Sequence, residues 1–179
     1  SIAIPDNPRM GAGYSLAGGG ATAINAINTV TAAVVDRTGT EPLAGNPESG
    51  KTRLTAGKSV TVQAQGNAQA QSEVRAAAAS FGWIAAAAAG TGASNELNPK
   101  VLASIRSADI LTPLDTGRVD VMATANQKSD AQSHALSVST GASVGASAAI
   151  TRDTGSVVAE LGQDVRVAAS VLRIYAKAQ

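Results

Sequence analysis

Large apolar and polar residues alternate strictly in three short stretches of the chain: Val60-Thr-Val62-Gln-Ala64, Val119-Asp-Val121-Met-Ala123 and Leu172-Arg-Ile174-Tyr-Ala176. Each reads large-x-large-x-Ala. Period-two alternation with β-branched residues on one side predicts strands, because successive side chains of a strand point to opposite faces. Val119 follows Val60 by 59 residues and Leu172 follows Val119 by 53, close to the periods of solenoids and arrays. A second series keeps the same order relative to the first: Val30-Thr-Ala32-Ala-Val34, Val101-Leu-Ala103-Ser-Ile105 and Val157-Val-Ala159-Glu-Leu161. If the copies share a fold, Val60, Val119 and Leu172 take equivalent inward positions, as do Val62, Val121 and Ile174.

Each repeat also carries a longer stretch of small residues broken by glycine: Leu16 to Asn25 around Gly18, Gly19 and Gly20, Val74 to Ala89 around Phe81 and Gly82, and Leu136 to Ile150 around Thr140 and Gly141. Taken alone, Ala76 to Ala89 would be read as a helix, since alanine is the best helix former. Its counterpart from Ser137 to Ile150 has interior glycines and several Ser, Thr and Val residues, which disfavour helix. Shared structure therefore predicts strands in all three, with the glycine turning the chain or admitting a close backbone. Ala85 to Ala89 present small residues on both faces, which lets two sheets approach closely.

Proline-bearing connectors run from Arg37 to Gly50 (Pro42, Pro47), Gly92 to Lys100 (Pro99) and Leu111 to Gly117 (Pro113). Corner insertions of this kind cost little and account for the unequal spacings. The resulting organisation is an irregular lead-in over 1–13 with Pro5 and Pro8, a partial first repeat with a long connector over 14–56, a second repeat over 57–116, a third over 117–170, and the first strand of a further repeat over 171–179. The final strand and the tract opening at Tyr14 read as uncapped ends that meet further repeats or other copies end to end. The chain itself reads as a segment of something longer.

Composition narrows the interior. Apolar residues make up 44% of the chain and aromatics only 2%, so a thin, repeated core of Ala and Val is expected in place of one large core. With 14 basic and 13 acidic residues the net charge is +1, which gives no field for nucleic acid or anionic lipid. There is no cysteine, hence no disulfide or thiolate metal site. No stretch has the length and apolarity of a membrane span.

A Gly-x-Val-x-Val-x-Ala strand, a small-residue tract with a central glycine and a Val-x-Ala-x-Ile/Leu strand together resemble the repeat regions of large bacterial exoproteins, the filamentous-haemagglutinin-like adhesins. The likeness covers residues 57 to 179 and, partially, 14 to 35. It implies an all-β repeat solenoid, a right-handed parallel β-helix, carried on the outer surface of Gram-negative cells after export through an outer-membrane barrel. The function it implies is that of a structural segment in a surface adhesin or extracellular filament, a rigid shaft or assembly unit, with host or matrix carbohydrate or protein as a further partner.

Candidate chemistry is sparse. His134 is the sole histidine, placed on an alternating polar edge, and no second His or Cys exists for zinc. Carboxylates cluster loosely as Asp109, Asp115 and Asp120, and as Asp153, Glu160 and Asp164. A glycosidase or acidic-polysaccharide-cleaving β-helix would need such acids paired, but Asp115 and Asp153 stand in turn-like Asp-Thr-Gly segments. Calcium would prefer turns rich in oxygen ligands, and the Gly-Gly-x-Gly-x-Asp pattern is missing. Leu16 to Gly20 has the look of a phosphate loop without its Lys. Gly45 to Thr52 fits G-x-x-x-x-G-K-T, yet a strand rather than a helix is expected after it. Phe81 and Trp83 suit a cap on a wider core, or a sugar-stacking platform. The reading is therefore of a chain with no catalytic, cofactor-binding or metal residues, no cofactor and no enzymatic activity. Its alternatives are a carbohydrate-binding or polysaccharide-cleaving β-helix and, on the Gly45 to Thr52 match, a nucleotide-binding domain.

Overall fold

The computed structural model describes residues 2–3, 14–36 and 51–179. In chain order the strands are β1 (Ile2–Ala3), β2 (Tyr14–Ile27), β3 (Val30–Val35), β4 (Thr52–Thr55), β5 (Ser59–Ser80), β6 (Ile84–Leu97), β7 (Lys100–Ile105), β8 (Ala108–Leu111), β9 (Arg118–Ser139), β10 (Ala142–Asp153), β11 (Ser156–Leu161), β12 (Arg166–Ala168) and β13 (Val171–Ala178). Among the described residues there is no helix, so Ala76 to Ala89 is strand on both sides of a turn at Phe81 to Trp83. Four sheets form, in the orders β1-β5-β9-β13, β10-β6-β2, β11-β7-β3 and β12-β8-β4. The strands pair in parallel. Parallel neighbours need a long crossover between them. Here the crossover from β5 to β9 is the passage through β6, β7 and β8, so neighbouring strands are successive copies of the repeat.

Register puts equivalent residues side by side. Leu172 pairs with Val119 and Ile174 with Val121. The Arg118 N–H donates to the Lys58 carbonyl as the Val171 N–H does to that of Gly117, which extends the same alignment back to Val60. In the second series Val157, Ala159 and Leu161 lie against Val101, Ala103 and Ile105. The first copy departs from expectation by one residue: Thr31, Ala33 and Val35, not Val30, Ala32 and Val34, face Val101, Ala103 and Ile105. The segment Val30–Val35 doubles its Ala and its Val, so it alternates equally well in either phase. Pairing with β7 selects one of them, and a one-residue slip turns every side chain over. Val30 and Val34 are left exposed.

Two further expectations are corrected. Gly18, Gly19 and Gly20 lie inside the single strand β2, which corresponds to β6 alone, so they do not turn the chain; of the two roles expected for glycine, Gly19 takes the other and admits a close backbone, since a Cβ there would meet the Ala77 carbonyl at 2.7 Å. The connector placed at Gly92 to Lys100 shrinks to Asn98 and Pro99, because β6 continues to Leu97 and β7 starts at Lys100. The Leu111 to Gly117 connector is a turn centred on Leu114 to Thr116. The connector from Arg37 to Gly50 and most of the 1–13 lead-in lie outside the described residues.

The chain divides into two compact units that each draw on all three repeats. One, here the hairpin unit, comprises 1–26, 69–97 and 128–153. In it the later half of β5 turns into β6 and the later half of β9 turns into β10. A Cβ at Gly141, in the second of these turns, would overlap the Ala85 carbonyl, so glycine is required there. Its interior is Ala17, Ala78, Ala87 and Ala89 with Ala135 against them. The other, the three-sheet unit, comprises 27–68, 98–127 and 154–179. Its core takes Val62, Val119 and Val121 from one sheet, Val101 and Ile105 from the second and Ile110 from the third.

Turn chemistry repeats as well. Ser107, between β7 and β8, has φ 46°, and Asp164, between β11 and β12, has φ 54°. Both are non-glycine residues in the left-handed region, which short polar side chains tolerate best.

Candidate functional site

The acids that sequence groups together are distributed over different sheets. Asp109 lies on β8 in register with Arg53 on β4 and Arg166 on β12. The two guanidinium-bearing neighbours make a cation-anion-cation row across three copies. Asp109 Oδ1 is buried without a hydrogen-bond partner among the described residues. Asp120, on β9, is buried and accepts a 2.5 Å bond from Arg118 Nε. Glu160 is on β11, where it accepts from Arg106 Nη2 at 2.5 Å and from Ser104 Oγ at 3.2 Å. Arg106 Nε donates to the same Ser104 hydroxyl at 3.2 Å. The hydrogen bond from Arg106 holds the Glu160 carboxyl below the ordinary carboxylate range, with Ser104 adding to the effect and partial desolvation opposing it.

Asp115 is exposed in its turn and accepts from the Thr116 hydroxyl at 3.4 Å, as turn aspartates do. Asp153 closes β10, and Asp164 occupies the left-handed corner. Among the described residues no three metal-ligating side chains converge. Two carboxyls serving as acid and base would have to flank one substrate bond. Within the three-sheet unit, Asp109, Asp120 and Glu160 are instead each placed beside arginine on a different sheet.

His134 is exposed on β9, away from any serine partner among the described hydrogen bonds. In the Gly45 to Thr52 motif, Gly45 to Gly50 lie outside the described residues. Thr52 opens strand β4 and its hydroxyl donates to the Asp36 carbonyl at 2.9 Å, so the segment after the motif is strand. Leu16 to Gly20 is likewise inside a strand.

One open depression, of about 470 Å³, is lined by Asp36, Arg106, Ser107, Glu160, Gly162 and Gln163. Its charged members are Asp36, Arg106 and Glu160, of which Arg106 and Glu160 form an ion pair.

Sequence reading passed over a polar ladder inside the hairpin unit. Asn95 is fully buried. Its amide donates to the carbonyls of Ala70 (3.3 Å) and Asp130 (2.5 Å), and its carbonyl accepts from Asn25 Nδ2 at 3.1 Å. Ser133 donates to Thr91 at 2.6 Å, and Ser80 to the Ser15 carbonyl at 2.9 Å. Such bonds tie successive copies together where alanine gives little burial. The available signal was an amide in the inward phase of an otherwise alanine-rich alternation. Phe81 and Trp83 do not cap a wider core: both are exposed at the β5–β6 turn.

Set beside known protein families, curated proteins and solved structures, the chain matches none of them.

Proposed function

We propose that this chain is a structural repeat segment of a secreted bacterial surface adhesin or extracellular filament, of the kind its repeat resembles. Its three-sheet unit is read as part of a right-handed parallel β-helix that serves as rigid shaft or assembly unit on a Gram-negative cell surface. Its partners are further repeats of the same parent or other copies stacked end to end. It carries no catalysis and needs no cofactor.

One observation carries this reading. Val119 and Val121 are 0% exposed, whereas Leu172 and Ile174, in register with them on β13, are 44% and 47% exposed. Val119 and Val121 are core because strands of other copies lie beside theirs. A stacked array buries its apolar face only through such neighbouring copies. The ion pairs of Glu160 with Arg106 and of Asp120 with Arg118 support a structural rather than a hydrolytic use of these acids.

Light scattering on the 179-residue chain tests the proposal. Concentration-dependent end-to-end association is expected, together with a gain in melting temperature when residues 57–170 are duplicated in frame. A dilution-resistant monomer whose melting is indifferent to that duplication would identify an independent domain and overturn the reading. Turnover of a polysaccharide, abolished by changing Asp109 or Glu160, would overturn the absence of catalysis.

A further inference from the structure

Paired residues of parallel strands project on the same face of the sheet, about 4.8 Å apart. A stack of identical copies in register therefore sets every side chain against its own double, and like charges so placed repel. The strand registers of this chain avoid that wherever they bring two charges together. In the hairpin unit, Arg152 on β10 lies beside Glu96 on β6. In the three-sheet unit, Asp109 lies between Arg53 and Arg166, and Arg173 on β13 lies beside Asp120 on β9. All four of these pairings are of opposite sign. In the same set of registers Lys100, Arg118, Asp153, Glu160 and Lys177 have uncharged neighbours.

Two of the acids are badly placed to tolerate a second acid. Asp120 is 6% exposed, and one carboxylate oxygen of Asp120 and one of Asp109 are buried without a hydrogen-bond partner among the described residues. A carboxylate laid beside either would repel it where water screens least, or would force one of the pair to take up a proton. The place that Asp120 holds in the third repeat is held in the second by Thr61, given the alignment that the Arg118 N–H sets on the Lys58 carbonyl. Thr61, Glu96 and Asp109 thus stand in the second repeat where Asp120, Arg152 and Arg166 stand in the third. The two copies complement each other, and neither complements itself.

We propose that copies of this repeat select their stacking neighbours by charge. A copy laid against the third repeat is accepted when it carries acids opposite Arg152 and Arg166 and an uncharged residue opposite Asp120, as the second repeat does; it is rejected when it reproduces the third. This selection rests on the reading of the chain as a stack of repeat copies. Backbone ladders and inward Ala and Val are common to the copies and hold any two of them alike. The charged rows differ from copy to copy, so they decide the order.

Two lengthened chains of equal size test the proposal. In each, a second copy of 118–170 follows Ser170 in frame and carries Asp120→Thr; in one of them the added copy also carries Arg152→Glu and Arg166→Asp. The chain with the two reversed charges is expected to melt about 5 °C higher at low salt, the gap closing in high salt as repulsion is screened. Equal melting, or a gap that salt leaves unchanged, would overturn the proposal. Within the 179-residue chain, Asp109→Arg is expected to lower the melting temperature and the triple variant Arg53→Asp/Asp109→Arg/Arg166→Asp to recover most of the loss. A triple variant no more stable than Asp109→Arg alone would also overturn it. Failure of both inserts to add strand signal in circular dichroism would count against the array itself, while recovery by the triple variant would still uphold charge selection between the copies present.

Discussion

The two compact units build different interiors from the same repeating strands. β5 supplies Val62 and Ala64 to the core of the three-sheet unit and then, further along, Ala78 to that of the hairpin unit. Where three sheets contribute to one core, the space they leave is filled by Val and Ile. Where two sheets face each other across a hairpin, alanine fills the gap. A buried Val, Leu or Ile side chain stabilises by about 1.5–3 kcal/mol and a methyl by about 0.8 kcal/mol. The three-sheet unit therefore rests on its core. The hairpin unit leans on parallel ladders and on the bonds made by Asn25, Asn95, Thr91 and Ser80.

The largest expected effect lies in the three-sheet unit. Ile105→Ala removes a side chain that is 0% exposed and should cost about 2–5 kcal/mol. Denaturant midpoints measure the loss, and amide exchange should show it concentrated among the strands around β7. An equal acceleration throughout the hairpin unit would mean that the two interiors are not energetically distinct. Next comes the converse change, Ala87→Leu, which forces bulk between closely packed sheets. It should destabilise by about 3 kcal/mol through overpacking, although it adds apolar area. A neutral or stabilising result would show that the alanine layer has room to spare.

Asn95→Ala tests whether polar bonds do for the hairpin unit what burial does for the other. Its loss leaves the carbonyls of Ala70 and Asp130 short of a donor and should cost about 1–2 kcal/mol. Asn95→Leu, which adds burial at the same place, should fail to restore it. The smallest effect is that of Glu160, whose ion pair with Arg106 is partly exposed. Its carboxyl titrates below the ordinary range in the folded chain, so its contribution is present above the unfolded-state pKa and is lost as pH falls through the folded one. The melting temperatures of the chain and of Glu160→Gln should therefore converge in acid, and should also converge in high salt at neutral pH. A difference that persists in acid would place the role of Glu160 in packing.

Much of the architecture was legible along the chain. Strict period-two alternation at Val119-x-Val121-x-Ala123 and Leu172-x-Ile174-x-Ala176 determined both the strands and their mutual register. The second series did the same for Val101 and Val157. Glycines at 82 and 141, set between stretches of small residues, marked turns, and the Ser- and Gly-rich copy correctly argued against helix in the alanine-rich one. These features are local or repeat themselves, so one strand's pattern is evidence for the next.

Tertiary structure alone decided the phase of β3, because doubled Ala and Val residues fit either face until Lys100 to Ile105 pair with them. It also decided that Gly18 to Gly20 lie in mid-strand, since a glycine run turns only where no neighbouring strand claims its backbone. The remaining sites join residues from separate copies: Asn25 with Asn95, Arg53 with Asp109 and Arg166, Arg106 with Glu160, and Ser15 with Ser80. Periodicity specifies which face a side chain takes. Only stacking determines which side chain from another copy it meets there, because that depends on lengths of chain whose own connectors vary.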